Sequence, residues 1–299
     1  MQRAPEPILI GFLYDFPQAD GGSSFEEAVR LGFDSIGEGR IDRPVEFVQR
    51  HVPGLPLGTE LAVQQGYREL DEAGVLAILG PSISDNGLIA APLADRAGIA
   101  SINYTGGERT RSEWMYHYQI GSLEEEPAIL ARRLHQRGLD SAAVIFDNSP
   151  VGRRYAECFE DARTTLGIDL TGSTAISPLS EDVTAVASRL RETKPAALVY
   201  LGLGVASRAV ALALEQLDWK VPVVANSSLM FGYARPDWRD GWKGWEYIDG
   251  IADDNTMRAA LARQSKRAAA GPVGCGAFDM GRLLAEGIAR AHHLTRAGV

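Results

Sequence analysis

Side chains able to attack a substrate, relay a proton or ligate a metal are sparse in this chain of 299 residues, which holds five histidines and two cysteines. His117 sits between Tyr116 and Tyr118 with no second histidine, cysteine or acid at ligand spacing, so it reads as a packed strand histidine and not a metal ligand. Neither His51 nor the His292-His293 pair offers a paired nucleophile, and no Gly-x-Ser-x-Gly elbow occurs. Cys158 and Cys275 are too few for a disulfide framework or a zinc site. Gly202-x-Gly204 lacks the third glycine and distal acid of a dinucleotide fingerprint, and there is no glycine-rich phosphate loop ending in Lys-Ser/Thr. Glu124, Glu125 and Glu126 open a helix, where negative charge is favourable in itself. The expectation is a protein that is not an enzyme, with no catalytic residues, no metal and no cofactor.

The chemistry the sequence does offer is recognition of an anion. Val75–Leu79 is an uninterrupted apolar run, the pattern of a strand buried on both faces, and Gly80-Pro81 ends it. Ser82 and Ser84 then precede a helical run marked by Leu88, Ala91 and Asp95, with Ser84 or Asp85 as the natural cap. A strand tip that opens onto a helix N-terminus gathers backbone donors and partial positive charge, which suits a carboxylate. Two roles fit the serines at this point, capping the helix and donating to a ligand. Tyr104, Thr105, Gly106 and Gly107 make a second polar turn at the end of the next strand, Ile99–Asn103. Asp147-Asn148-Ser149-Pro150-Val151-Gly152 occupies the corresponding place later in the chain.

The elements that must position these turns alternate in type. Ile8–Tyr14 reads as a first buried strand, and the turn-rich loop after it leaves Phe16 and Asp20 free to face a cleft. Phe25, Val29, Gly32, Phe33 and Ile36 share one helical face, Val45–Val48 is a short strand, and Val63, Tyr67 and Leu70 mark a helix closing at Gly74. After the aromatic strand Trp114–Ile120 a second series begins. It runs through a helix with Leu130 and Leu134, the strand Ala142–Phe146, a helix from Tyr155 to Leu166 and the strand Thr171–Ile176. Helix 181–193, strand Ala197–Leu201, helix 206–218 and strand Val221–Ala225 continue it. Asn226–Asp240 is irregular, and Trp238, Trp242 and Trp245 crowd its far end as either a satellite core or a ligand wall. Gly244–Ile251 reads as a returning strand, followed by helices 256–270 and 277–292. Strands alternating with helices call for parallel sheets covered on both faces, and the length suits two domains.

Composition narrows the partners. A net charge of −9 argues against nucleic acid, which wants clustered basic residues. No apolar run reaches the ~20 residues that span a bilayer, and MQRAPEP lacks the apolar core of a signal peptide, so no direct membrane insertion is expected. Only four of the 30 basic residues are lysines, which we read as genome composition.

The wording of the central stretch is more specific than its pattern. Val-x-Ala-Ile-Leu-Gly-Pro, a serine-containing turn, and Ala-Ala-Pro-Leu-Ala-Asp-x-Ala-Gly-Ile resemble the extracytoplasmic solute-binding proteins of ABC transporters, of the type that includes the branched-chain amino-acid binders. The resemblance runs over most of the chain. It implies an α/β fold of two doubly wound parallel-sheet, Rossmann-like domains joined by a multi-crossover hinge, the periplasmic-binding-protein-like type I architecture, with lobes at 1–120 plus 250–299 and at 121–249. It implies a small-molecule solute held in the interdomain cleft by closure of the lobes, and a membrane permease as partner. Matched residue by residue, Ser84 falls where the family offers a hydroxyl to the ligand carboxylate, with the turn at Ser82 beside it. Tyr104, Thr105 and Gly107 fall on a second anion-facing turn, and Phe16 and Asp20 in the loop that carries an aromatic. Glu124 falls near a family acid, Asn148 and Val151 in a turn where an aromatic usually stands, and Leu203 and Asn226 on two further pocket positions. Val151, Leu203 and Asn226 replace the usual aromatic, polar and acidic contacts, which weakens the ammonium side of an amino-acid site and widens the ligand class to aromatic or steroid-like acids. The chain is shorter at its C-terminus than is usual in the family. The resemblance implies an extracytoplasmic location from which a leader was removed; a native start at Met1 would instead fit a cytoplasmic, amide-sensor-like regulator acting through a protein partner.

Overall fold

In the computed structural model the chain is described over residues 5–15, 23–119, 122–233, 236–252, 254–265 and 271–299. It divides into two compact units, residues 1–120 with 251–299 and residues 121–250. The first lobe runs β1 (Ile8–Tyr14), α1 (Ser23–Gly37), β2 (Val45–His51), α2 (Glu60–Glu72), β3 (Ala77–Leu79), α3 (Ser84–Ala97), β4 (Ala100–Asn103) and β5 (Met115–His117). The second runs α4 (Glu126–Gln136), β6 (Ser141–Asp147), α5 (Pro150–Leu166), β7 (Asp169–Ile176), α6 (Thr184–Glu192), β8 (Ala197–Leu201), α7 (Ser207–Gln216), β9 (Val223–Ala225), α8 (Pro236–Arg239) and β10 (Glu246–Tyr247). The chain then rejoins the first lobe through α9 (Thr256–Gln264) and α10 (Pro272–Arg290).

Each lobe holds a five-stranded sheet, ordered β2-β1-β3-β4-β5 in the first and β7-β6-β8-β9-β10 in the second, with every pairing parallel. The two orders are the same, so β1 corresponds to β6, β3 to β8 and β4 to β9. Strands buried on both faces explain the unbroken apolar runs. In β6, Ala142 and Val144 enter a core with Leu130, Leu134, Tyr155 and Phe159, while Ala143 and Ile145 enter another with Leu190, Val210 and Leu214. Alternate residues point to opposite faces, so one strand feeds both cores. In the first lobe, Leu13, Val63, Tyr67, Leu70, Ile78 and Ile99 form one such core. Fully burying side chains of this size stabilises by about 1.5–3 kcal/mol each.

Glycine sets one helix packing. A methyl group on Gly32 of α1 would lie 1.8 Å from the carbonyl oxygen of Phe278, and one on Gly281 of α10 would lie 2.1 Å from that of Val29. The two backbones approach too closely for any side chain at these positions.

Two expectations are corrected by the structure, and a third, left open in the sequence, is decided. The returning strand at Gly244–Ile251 shrinks to the two residues of β10, paired only to β9. The last long helix starts at Pro272, whose missing N–H costs nothing in the first turn. Trp238 and Trp242 meet edge to face with centroids 6.4 Å apart, and both pack with Trp245 on the second lobe's core, so these tryptophans extend a hydrophobic core.

Candidate binding site

Parallel strands of one sheet all end on the same side, and the turns singled out in the sequence cluster at those carboxyl ends, where α/β folds bind small molecules. In the first lobe the tips are those of β1, β3 and β4. The sequence assigns the cap of α3 to Ser84 or Asp85. The cap is instead Ile83, which makes no side-chain cap bond, and Ser84 and Asp85 lie inside the helix. The capping work falls to Asp15, just beyond β1. Its carboxylate accepts from the N–H of Ser82 at 2.8 Å, the N–H of Ile83 at 3.0 Å and Asn86 Nδ2 at 2.8 Å. Burial pushes its pKa up against the pull of these three bonds. Asn86 also grips the backbone of Leu55, donating to its carbonyl at 3.1 Å and accepting from its N–H at 2.8 Å.

At the tip of β4, Asn103 organises the second turn. Its Oδ1 accepts from the N–H and hydroxyl of Thr105 at 3.1 and 2.9 Å, and its Nδ2 donates to the carbonyl of Thr110 at 3.1 Å. Thr105 is therefore committed to the turn. The N–H of Tyr104 goes to Pro81, and its ring stacks on Tyr118 with centroids 6.1 Å apart. The two turns meet: a methyl on Gly107 would lie 3.9 Å from Ser84 Oγ, and one on Gly87 would lie 3.1 Å from the Thr105 methyl. The side chain and N–H of Ser84 and the N–H groups of Gly106 and Gly107 donate to no described residue, although all three residues are buried. Phe16 and Asp20 lie outside the described residues.

The second lobe repeats the device with different surroundings. Asp147, fully buried at the end of β6 and equivalent to Asp15, accepts from the N–H of Leu203 at 2.6 Å and the phenol of Tyr200 at 3.1 Å. The neighbouring carboxylate and burial raise the Tyr200 pKa well above its ordinary value, burial being the larger cause. A methyl on Gly202 would lie 2.2 Å from Asp147 Cγ, so this turn needs glycine. Asn226, equivalent to Asn103, donates to the Gly202 carbonyl at 2.9 Å and accepts from its N–H at 3.1 Å. Val151 packs part-buried against the core, Asn148 is exposed and accepts from Arg153 at 2.7 Å, and Glu124 accepts from the Ser122 hydroxyl at 2.6 Å. Where the first lobe has donors with no described acceptor, the second pairs Asp147 and Asn226 within its own turns, and the apolar Val151 and Leu203 stand beside those turns in sequence.

Sequence reasoning missed Asp15 and Asn103, and it named Asp147 and Glu126 within their segments without giving either its role. The available signal was an acid directly after an apolar strand in both series, Tyr14-Asp15 and Phe146-Asp147. Among the described residues no group of three or more His, Cys, Asp or Glu is placed to hold a metal, and no helix is long and apolar enough to cross a membrane.

A family model described as periplasmic binding protein matches residues 7–299, and the chain belongs to that family. It is a type I periplasmic binding protein of the kind that includes the leucine, isoleucine and valine binders. No curated protein matches. Among solved structures, the chain is similar to a leucine-binding protein, LivK, of Thermotoga maritima, with 15% identity over 97% of this chain and 85% of that one and a TM-score of 0.85. It is similar to the branched-chain amino-acid binding protein LivJ of Streptococcus pneumoniae, solved with isoleucine (16% identity, 98% and 87% covered, TM-score 0.84). A solute-binding protein of an ABC transporter from R. palustris, solved with 4-hydroxybenzoate, is also similar (16% identity, 95% and 81% covered, TM-score 0.81). At such identities the likeness shows the fold. The family and these neighbours are binding proteins.

Proposed function

We propose that this protein is the substrate-binding component of an ABC transporter and captures a small, largely apolar solute bearing a carboxylate, delivering it to a membrane permease on the extracytoplasmic side. One observation carries the reading: Asp15 and Asn103 take the N–H groups of Ser82, Ile83 and Thr105, while the donors of the buried residues Ser84, Gly106 and Gly107 have no acceptor among the described residues. A carboxylate satisfies such a set, with the N-terminus of α3 adding favourable potential. On the second lobe, Asn226 spends its amide on Gly202, and Val151 and Leu203 add apolar surface. That combination favours an aromatic or branched aliphatic acid over one recognised through a paired ammonium group.

The test is a thermal-shift screen with leucine, isoleucine, 4-hydroxybenzoate, a neutral sugar and a polyamine. A ligand at a hundred times its Kd stabilises the folded form by about 2.7 kcal/mol. Stabilisation by an apolar acid is the expected result, and a sugar or polyamine as the strongest stabiliser would overturn the reading.

A further inference from the structure

We propose that Glu126 is a positioning residue of the second lobe's strand tips, a proton-responsive clasp that holds Ser227 and with it the segment after β9. Glu126 opens α4, yet its side chain is turned inward and is only 7% exposed. One carboxylate oxygen accepts from the N–H of Ser227 at 2.8 Å and the other from its hydroxyl at 2.7 Å. Ser227 follows Asn226, whose amide bridges to Gly202 and whose Oδ1 also accepts from the Ser228 hydroxyl at 3.2 Å, so the clasp and the tip of β8 share one network.

The charge that acts on the clasp, that of Glu124, disfavours a second anion, and Arg154 of α5 spends its own charge on Glu157 and Glu124. Glu124 lies on the turn just before α4, and the Tyr155 phenol faces the clasp from α5. From the β9 side Ser227 donates to it. Among the described residues no lysine, arginine or histidine pairs with Glu126. A buried carboxylate without a cation prefers to be neutral. Accordingly, burial raises the pKa of Glu126 to about 7 from an ordinary 4.5. The neutral acid keeps both contacts, its carbonyl accepting the N–H and its hydroxyl donating to Ser227 Oγ. Opening the segment hydrates the carboxyl and returns it toward its ordinary pKa, so the closed form binds the proton more tightly. Rising pH from about 4.5 to about 7 therefore favours opening, with no further gain above that, and falling pH favours the clasp.

The siting of the clasp beside a solute site rests on the function proposed above, but its test needs no solute and fails or succeeds separately. Hydrogen exchange of the full chain, corrected for intrinsic rates, compares residues 226–230 with the β8 core from pH 5 to pH 8. If opening fully hydrates the carboxyl, exchange at 226–230 rises by ~70-fold relative to β8 over that range, most of it below pH 7. Glu126→Gln, whose amide can make both contacts in either role, is expected to abolish that step while keeping the segment protected. Ser227→Ala, which keeps the N–H bond, is expected to lower protection at every pH with the step retained. A flat profile in the parent protein, or the same step in Glu126→Gln, would overturn the proposal.

Discussion

Asn226 uses both ends of its amide on one residue, the N–H and carbonyl of Gly202. A carboxylate of the same shape has no donor, so Asn226→Asp strands the Gly202 carbonyl and adds a charge to a residue that is 1% exposed. We expect a loss of about 1–3 kcal/mol in urea unfolding, and an unchanged midpoint would show the pairing to be dispensable. Ser84 is the opposite case, a residue only 6% exposed whose hydroxyl has no described acceptor. Ser84→Ala is expected to leave stability nearly unchanged while weakening binding of an acid. What the sequence made legible at this scale was residue type and place, Ser84 and the 104–107 turn among them. It did not show that Thr105 is committed to Asn103, because that depends on the local turn geometry.

The elements were legible wherever their own periodicity decides them. The apolar stripe of α2 and the two-sided burial of β6 and β8 follow from spacing, as do the helix stops at glycines. The cap of α3 was not legible, since its acceptor, Asp15, lies 67 residues from Ser82 in sequence and local rules favour the nearest serine. The same device at Asp147 shows that each lobe ties its first strand to the turn beyond its neighbour through one buried carboxylate. All three groups that face Asp15 are donors, so Asp15→Asn sets an amide N–H against another donor. We expect destabilisation of about 1–3 kcal/mol in urea unfolding, with accelerated hydrogen exchange confined to residues 82–86 and the start of α3. Parent-like exchange there would refute the role given to Asp15. The aromatic crowd at Trp238–Trp245 was ambiguous in sequence because a loop tryptophan can serve a core or a ligand equally well; only the contacts with the second lobe's core decide it.

At the scale of the whole molecule, the first lobe is assembled from two distant parts of the chain, and α1 against α10 is the seam that joins them. Gly32→Ala or Gly281→Ala would drive a methyl into a facing carbonyl, and we expect each to cost about 1–3 kcal/mol in urea unfolding. The lobe so joined carries the donors without a described acceptor, which we propose recognise a carboxylate. Calorimetric titration of the best-binding acid beside its primary carboxamide, into the parent and into Ser84→Ala, tests that claim most directly. We predict that the acid binds the parent at least about tenfold more tightly than the amide, and that Ser84→Ala costs the acid about 1.5–3 kcal/mol, or roughly ten- to a hundredfold. Equal affinities for acid and amide, or an acid affinity untouched by Ser84→Ala, would contradict it.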